Sequence, residues 1–289
     1  FKQVMKKTIY LVFLFALILI AFSCTKPTVC INGEGDKVVV DRSLGDFDEV
    51  VYDFDAKLVI IQGDEPKITI EAQENIVEQI ETVVSGGVLT IKFKECVSTD
   101  TVVRLFLTAS TLKNIELKGS GDILLDSLWV LENLMLNISG TGNLYSDTLI
   151  VVNNNFEGNI GGSGNIFMNQ ITVSGSFLST LTGRGTIIVW NVNGCKNFDL
   201  TNEGFGDIYI ASEDTVSKSK IALSGIGDIR TKDVIVKNTE VWLSGQGVVR
   251  VHVLDTLIAT ISGSGNIYYD GNPHIQSTIS GKGKIIKEE

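Results

Sequence analysis

Apolar and polar residues alternate in short runs along most of this chain. The runs lie on both sides of recurrent glycine pairs, as with Ile115 and Leu117 before the first pair and Ile123 and Leu125 after it. Alternation with a period of two over about five residues, with Val, Ile and Leu at the apolar positions, predicts short strands with one buried face. The pattern therefore favours an all-β protein.

The glycine pairs form a repeat of nearly constant length. From Gly119 onward, Gly-x-Gly occurs nine times, and its starts are separated by 21, 22, 21, 21, 21, 20, 18 and 18 residues. A period of about 20 residues is too short for a helix with its crossover, but it fits two or three strands per repeat. We therefore predict a parallel β-helix, a solenoid in which each repeat is one rung of about 20 residues. The predicted structural corners are Gly119, Gly121, Gly140, Gly142, Gly162, Gly164, Gly183, Gly185, Gly204, Gly206, Gly225, Gly227, Gly245, Gly247, Gly263, Gly265, Gly281 and Gly283.

Two physical roles are open for these glycines. Glycine supplies a positive φ at a corner, or it lets two backbones approach closely. The Asp or Asn that follows several of the pairs also tolerates the left-handed region. Since no rung can bury its apolar face alone, stability is expected from stacking, with strands about 4.8 Å apart and a rod roughly 40 Å long.

The segment before the repeat, residues 38–112, keeps the strand pattern without the glycine pairs. We predict that it forms irregular rungs or a β-rich cap. A cap is needed because an uncovered solenoid end exposes unpaired strand groups and open core. Residues 113–289 are predicted to form the repeat β-helix.

The first 24 residues have the features of an export signal. Lys6 and Lys7 precede an apolar run from Ile9 to Phe22, and Ser23 and Cys24 follow it. The end of this run resembles a bacterial lipobox, from which Phe22 departs, and predicts lipidation of Cys24. An uncleaved anchor is the alternative, because the run is nearly long enough to span a bilayer. Residues 25–37 are predicted to be a polar spacer, and the protein an exported outer membrane lipoprotein on the cell surface or periplasmic face.

The chain is acidic, with a formal net charge of −10. Removal of residues 1–23 deletes Lys2, Lys6 and Lys7 and no acid, so the mature charge is −10 − 3 = −13. This balance argues against a nucleic acid partner, which needs a basic surface. It also repels anionic lipids, so the predicted membrane contact is the N-terminal lipid.

Three cysteines remain after Cys24. An oxidising compartment permits a disulfide between Cys30 and Cys96, and buried free thiols are the alternative, because spacing does not choose between them. Cys195 is predicted to be a rung residue. The chain has no Cys-x-x-Cys, so neither a zinc ribbon nor a thioredoxin-like site is indicated.

Several segments resemble one known family, the putative auto-transporter adhesins with a head GIN domain. The resemblance covers most of the mature chain, and it implies a right-handed β-helical body and an exported protein of Bacteroidetes-type bacteria, often a lipoprotein. It supplies no catalytic residues to carry over to this chain. The residues that show it are Phe47-Asp48-Glu49-Val50, Leu58 to Gln62 with Gly63, Gly87-Val88-Leu89-Thr90-Ile91, Leu112-Lys113-Asn114-Ile115 and Gly119-Ser120-Gly121-Asp122-Ile123.

Metal and nucleotide sites receive little support. No glycine pair leads into a helix with Lys-Ser or Lys-Thr, as a phosphate-binding loop requires. Asp207 and Asp228 hold equivalent positions on adjacent rungs, where their charges repel and a calcium ion could bridge them. Solvated corner residues are the simpler interpretation, so we predict no metal and no cofactor.

Catalysis on the solenoid is the alternative to a binding role. A polysaccharide lyase or glycosidase needs carboxylates that converge on adjacent rungs. The candidates Asp199, Glu203, Asp228 and Arg230 are scattered over rung positions, so we predict no enzyme.

Aromatic residues distributed through the rungs are candidates for contact with a glycan or protein ligand. They serve binding only if they share one outer side; otherwise they fill the core or stack between rungs. The predicted function is a non-enzymatic, lipid-anchored binding or adhesion surface, with a periplasmic scaffold as a further alternative and the oligomeric state open. The aromatic candidates are Tyr145, Trp190, Tyr209, Trp242, Tyr268 and Tyr269.

Overall fold

A computed structural model describes residues 30–288 of the chain. The protein is almost entirely β, with 59% strand and 2% helix, and forms a solenoid of about eight turns with rungs about 21 residues apart. The predicted fold class is therefore confirmed. The predicted signal segment and Cys24 lie outside the described residues. Between residues 30 and 288, no helix has the length and hydropathy needed to cross a bilayer.

The N-terminal part contains nine strands and one short helix. They are β1 Ile31–Asn32, β2 Lys37–Ser43, β3 Glu49–Asp53, β4 Lys57–Gln62, β5 Lys67–Gln73, α1 Glu74–Val77, β6 Ile80–Ser85, β7 Val88–Phe93, β8 Val97–Ser98 and β9 Arg104–Ala109.

The repeat part contains the remaining strands. They are β10 Asn114–Leu117, β11 Ile123–Leu125, β12 Trp129–Leu131, β13 Leu134–Ile138, β14 Leu144–Val152, β15 Phe156–Ile160, β16 Ile166–Val173, β17 Ser176–Leu181, β18 Ile187–Val189, β19 Val192–Asn193, β20 Asn197–Asn202, β21 Ile208–Ile210, β22 Thr215–Leu223, β23 Ile229–Leu243, β24 Val249–Ile261, β25 Ile267–Asp270, β26 His274–Ile279 and β27 Ile285–Lys287.

Each full rung has three sides, which we call A, B and C in chain order. Side A precedes the Gly-x-Gly corner and includes β13, β15, β17 and β20, paired in parallel in that order. Side B follows the corner and includes β11, the first part of β14 and of β16, then β18 and β21. Side C includes β12, the later parts of β14 and β16, and β19. The ladder of parallel strands thus runs along the rod on every side.

The core lies inside the rungs and consists of stacked apolar side chains. In strands of the rungs such as β13, β15 and β18 every second residue is buried, which is the alternation seen in the sequence. Aromatic rings also stack from rung to rung: the ring centroids of Phe156 and Phe177 are 4.7 Å apart, and those of Phe177 and Phe198 are 5.6 Å apart. Full burial of such a side chain contributes about 1.5–3 kcal/mol, so the stack supplies much of the stability.

The first rungs do not follow chain order. Strands β3 and β4 form a rung that lies between the rung of β7 and β9 on one side and the rung of β10 and β11 on the other. The solenoid therefore begins before the glycine repeat.

Antiparallel strands cover the outer end. Strand β2 pairs with β5, β5 pairs with β9, and β6 pairs with β7. Arg42 on β2 connects this cap to the end of α1 and the start of β6, because its guanidinium donates to the carbonyls of Val77 at 2.8 Å and Ile80 at 2.7 Å. The reversal of strand direction occupies the edges of the outermost rung, which removes an open edge from this end.

The glycine corners correct one part of our sequence interpretation. None of the glycines of the nine repeats has a positive φ; among the described residues only Gly35, Gly86, Gly87, Gly194 and Gly271 do. The second role, the close approach of two backbones, is the one that these glycines have. A Cβ added to either glycine of a repeat would run into backbone of the preceding rung, usually a glycine carbonyl oxygen. Glycine is needed here because two backbones approach closely.

The Asp or Asn after the corner also has a role other than the predicted one. No non-glycine residue among residues 30–288 has a positive φ. Instead, its side-chain oxygen accepts the backbone N–H of the equivalent residue in the next rung. Asn143 N–H donates to Asp122 Oδ1 at 2.8 Å, and Asp228 N–H donates to Asp207 Oδ1 at 2.8 Å. This ladder supplies partners to backbone donors that the corner leaves outside the sheet.

Candidate ligand-binding surface

Side B presents a regular outer face. Its short strands bury the first and third residues and turn the middle residue outward, as in β18 and β21. Register places these middle residues in one column along the rod. Seven of its nine members are apolar or aromatic and two are arginines, which is unusual for an outer surface. In rung order they are Leu124, Tyr145, Phe167, Ile188, Tyr209, Arg230, Arg250, Tyr268 and Ile286.

The structure divides the six aromatic candidates among three environments. Tyr145, Tyr209 and Tyr268 lie in the side B column, and Trp190 follows β18 on the same side. Trp242 lies on side A, and Tyr269 packs against the core. Four of the six thus share one side, which is the condition that the sequence analysis set for a binding role.

Stacking separates the aromatic residues of side B into two groups. The rings of Tyr145 and Phe167 lie 5.5 Å apart with an interplanar angle of 15°, so each covers a face of the other. Trp190 is 55% exposed and lies 5.2 Å from Tyr209 with an interplanar angle of 57°. Cross-rung stacking therefore explains the first pair, whereas the Trp190 ring remains available to a ligand.

The corner next to side B adds apolar residues that the sequence analysis missed. The middle residues of two successive Gly-x-Gly corners, Phe205 and Ile226, are 58% and 52% exposed. The guanidinium of Arg184, from the preceding corner, lies 4.8 Å from the centroid of the Phe205 ring. The flanking corners carry the polar residues Ser163 and Gln246. The sequence contained a signal for these two residues, because Phe205 and Ile226 are the large apolar middle residues among the nine Gly-x-Gly corners.

The corner residues, Trp190 and the column residues Ile188 and Tyr209 belong to three successive rungs. The corner residues lie at one end of the side B strands, Trp190 lies at the other end, and the column residues lie between them. We call this surface the aromatic patch. It consists of Arg184, Ile188, Trp190, Phe205, Tyr209 and Ile226.

Charged residues beside the patch pair with one another. Arg230 Nη2 lies 2.9 Å from Asp228 Oδ2 and 4.0 Å from Asp207 Oδ2, and Arg250 Nη1 lies 3.9 Å from the same oxygen of Asp228. The hydrogen bond with Asp228 raises the pKa of Arg230. The two calcium candidates are thus adjacent, as predicted, and the positive charge near them belongs to arginine. In the described part of the chain, no group of three or more His, Cys, Asp or Glu residues could hold a metal.

A second polar contact lies below the Trp190 ring. The Tyr209 hydroxyl donates to Asp233 Oδ2 at 2.8 Å. Partial burial and, after it, the Asp233 carboxylate raise the pKa of Tyr209. This hydrogen bond holds in place the Tyr209 ring, which the Trp190 indole contacts.

The cysteines lie away from the patch. Cys30 and Cys96 are joined by a disulfide, and β1 and β8 next to them form a short parallel pair. The predicted spacer is therefore attached to the body from Cys30 onward. Cys195 is a free, buried thiol, and burial raises its pKa to about 11.

The candidate catalytic residues do not converge. Asp199 lies on side A, where it borders a shallow groove with Lys218 and Lys220. Asp228 and Arg230 lie on side B, engaged with each other. Asp199 and Asp228 therefore do not face a common substrate position.

The sequence matches one family model, described as "Putative auto-transporter adhesin, head GIN domain", over residues 46–185 and 157–273. The two matches overlap and together extend from the first rung to the eighth glycine repeat. The resemblance noted in the sequence is thereby confirmed. No curated protein matches the chain.

Solved structures with the same fold include three from two Parabacteroides species. A putative adhesin from Parabacteroides distasonis ATCC 8503 is 20% identical with a TM-score of 0.67, and a putative lipid binding protein from the same strain is 24% identical with a TM-score of 0.68; each match covers 90% of this chain and 100% of the other. A putative adhesin from Parabacteroides merdae ATCC 43184 is 20% identical with a TM-score of 0.61, covering 90% and 99%. At these identities the likeness establishes the fold.

Proposed function

The chain belongs to the family of putative auto-transporter adhesins with a head GIN domain, and from this premise we propose that it is a lipid-anchored, non-enzymatic binding surface of the cell envelope that acts in adhesion. The observation that supports the proposal is the aromatic patch. Phe205, Ile226 and Trp190 each expose more than half of their surface, and they border side B at its two ends. Large apolar groups gathered on a soluble surface mark sites of interaction.

The shape of the molecule fits display of such a surface. The N-terminal end is closed by the antiparallel cap, and the predicted lipid on Cys24 precedes this end of the chain. The glycine repeat extends from the cap as a stiff rod, since each rung is bonded to its neighbours along the whole length. The patch lies in the middle rungs, away from the tether. Cell-surface display therefore gives the patch access to a ligand.

A binding role agrees with the chemistry better than catalysis does. The carboxylates that a glycosidase needs lie on different sides of the rod, as Asp199 and Asp228 show. The charged groups beside the patch are held in pairs with arginine. Paired charges orient a ligand, but they are poor proton donors and acceptors.

Cells that produce the full chain provide the test. Intact and lysed cells are treated with protease, and attachment of the intact cells to a host or microbial surface is measured beside cells that lack the protein. We expect cleavage on intact cells, lower attachment without the protein, and release from the membrane in a Cys24→Ala variant. Protection until lysis would favour a periplasmic scaffold, and release of new reducing ends from a polysaccharide would establish an enzyme. Either result overturns the proposal.

A further inference from the structure

We propose that the aromatic patch binds a neutral polysaccharide, with the Trp190 indole as the surface on which a sugar ring stacks. The inference rests on the proposed binding function and names its ligand class and site. Sugar rings have one face of C–H groups and a rim of hydroxyls. A ligand of this kind needs an open aromatic face with hydrogen-bonding groups around it.

Trp190 provides the open face. It is 55% exposed, and its contact with Tyr209 is tilted at 57°, so the two rings are not stacked face to face. The partially positive C–H groups of a sugar pack against the negative face of an aromatic ring. Neither Tyr145 nor Phe167 offers this, because those rings cover each other.

Two polar side chains of the neighbouring rungs, Asn169 and Asp233, have hydrogen-bonding capacity left for hydroxyls. Asp233 accepts the Tyr209 hydroxyl with one oxygen at 2.8 Å, which leaves its other carboxylate oxygen for a ligand. Asn169, exposed in the preceding rung, donates to Asp147 and keeps its amide oxygen to accept a further bond. Carboxylate and amide oxygens accept hydrogen bonds from hydroxyls, which are both donors and acceptors.

The charge distribution favours a neutral ligand. Arg230 pairs with Asp228, and the Arg184 guanidinium lies over the Phe205 ring. With Arg250, these arginines number three, and the neighbouring carboxylates of Asp207, Asp228 and Asp233 match them in number, so this side has no excess charge to select an anionic or cationic partner. Anionic membranes are a poor fit as well, because the chain as a whole carries −10.

The solenoid repeat suits an extended chain. Neighbouring rungs are about 4.8 Å apart, which is similar to the advance of one sugar unit along an extended β-1,4-linked polysaccharide. The column on side B continues beyond the patch to Phe167 and Tyr145 on one side and Arg230 on the other. A polysaccharide lying along the rod therefore meets one column residue per sugar.

The test is affinity electrophoresis of the purified full chain in detergent. Each gel contains one polysaccharide: β-1,3-glucan, xylan or mannan as a neutral probe, or alginate as the acidic probe. Trp190→Ala removes the stacking surface, and Trp190→Phe retains an aromatic face. Trp242→Ala is the matched control, because Trp242 is also exposed, at 41%, but lies on side A. Thermal unfolding of each variant verifies that the fold is intact.

We expect retardation by at least one neutral polysaccharide, a loss of affinity of about tenfold or more in Trp190→Ala, partial recovery in Trp190→Phe and no change in Trp242→Ala. No retardation by any neutral probe, equal loss in Trp242→Ala, or preference for alginate would overturn the inference. If cells that produce the protein still attach, and only protease treatment of the target surface abolishes attachment, the adhesion function stands and its ligand is a protein. If cells that produce the protein attach no better than cells that lack it, the proposed function is refuted.

Discussion

The carbonyl oxygen of Gly185 occupies the space that a Cβ on Gly206 would need. The two glycines are equivalent residues of adjacent rungs, and the same contact recurs between Gly206 and Gly227. The second glycine of the repeat is thus fixed by the spacing of rungs, and φ plays no part in it.

Replacing Gly206 by Ala should therefore destabilise the protein as severely as a larger residue would. The methyl group meets backbone, which cannot move aside without displacing a rung, and we expect a loss of about 3 kcal/mol or more in the free energy of unfolding. Urea unfolding measures it.

Gly161→Ala is the matched control for this substitution. Gly161 precedes a repeat corner, and a Cβ on it would meet only Thr182 Oγ1 at 3.7 Å, which is ordinary contact. Its stability should be nearly unchanged. Equal stability of both variants would contradict the proposed close approach of rungs.

Replacing Asp228 by Ala should lower the free energy of unfolding by about 1–3 kcal/mol. The partly buried N–H of Val248 donates to Asp228 Oδ1 at 2.8 Å, and the substitution removes this acceptor. Asp228→Asn keeps an acceptor oxygen and should lose less. Asn266→Ala is a useful comparison, since the Lys284 N–H that it releases is exposed and can bond to water. In thermal unfolding, Asp228→Ala should be the least stable variant, followed by Asp228→Asn and then Asn266→Ala. If Asp228→Asn is as unstable as Asp228→Ala, the role of the acceptor is refuted.

The pKa of Tyr209 should fall in an Asp233→Asn variant. In the native protein this pKa is raised above its ordinary value of 10.0, by burial and by Asp233. The neutral phenol is therefore favoured in the folded state, so its contribution to stability is complete below pH 10 and is lost as the pH rises through the raised pKa. Ultraviolet titration of native and variant proteins, with Tyr209→Phe to identify the signal, measures the shift. An unchanged titration curve would contradict the contact.

The Cys30–Cys96 disulfide joins residues that are 66 positions apart. Replacing both cysteines by serine should lower the free energy of unfolding by about 2–5 kcal/mol, because the unfolded chain gains freedom. The variant should unfold at the same urea concentration as the reduced native protein. If the oxidised native protein shares that midpoint, the disulfide contributes no stability.

Much of the solenoid was predictable because its signals are local. Alternation identified the strands around Ile115 and Ile123, and the recurrent glycines gave the rung length. The reason for the glycines was not predictable in the same way. Both a positive φ and a close backbone approach exclude a Cβ, and one chain without coordinates does not separate them.

The order of the first rungs could not be predicted for a different reason. Whether β3 lies next to β7, β10 or both depends on pairing between segments far apart in sequence. Periodicity carries no information on such pairing where the repeat is absent.

The site was predictable in part. Trp190 and Tyr209 were identified as aromatic, but their common side required the register. The corner residue Phe205 was in view as the middle of a Gly-x-Gly, yet only the corner geometry shows that this position faces solvent.

The contact of each repeat with only its two neighbours has a consequence for how the protein can change its reach. A duplicated or deleted stretch that runs from one glycine pair to the next preserves both glycine columns, whereas a stretch of any other length interrupts them. Insertions are thus tolerated in whole repeats, each of which moves the far end by about 4.8 Å, and the cap is unaffected. The distance between the cap and the far end becomes a quantity that the gene can adjust in fixed steps while the outer residues of the other rungs remain as they are.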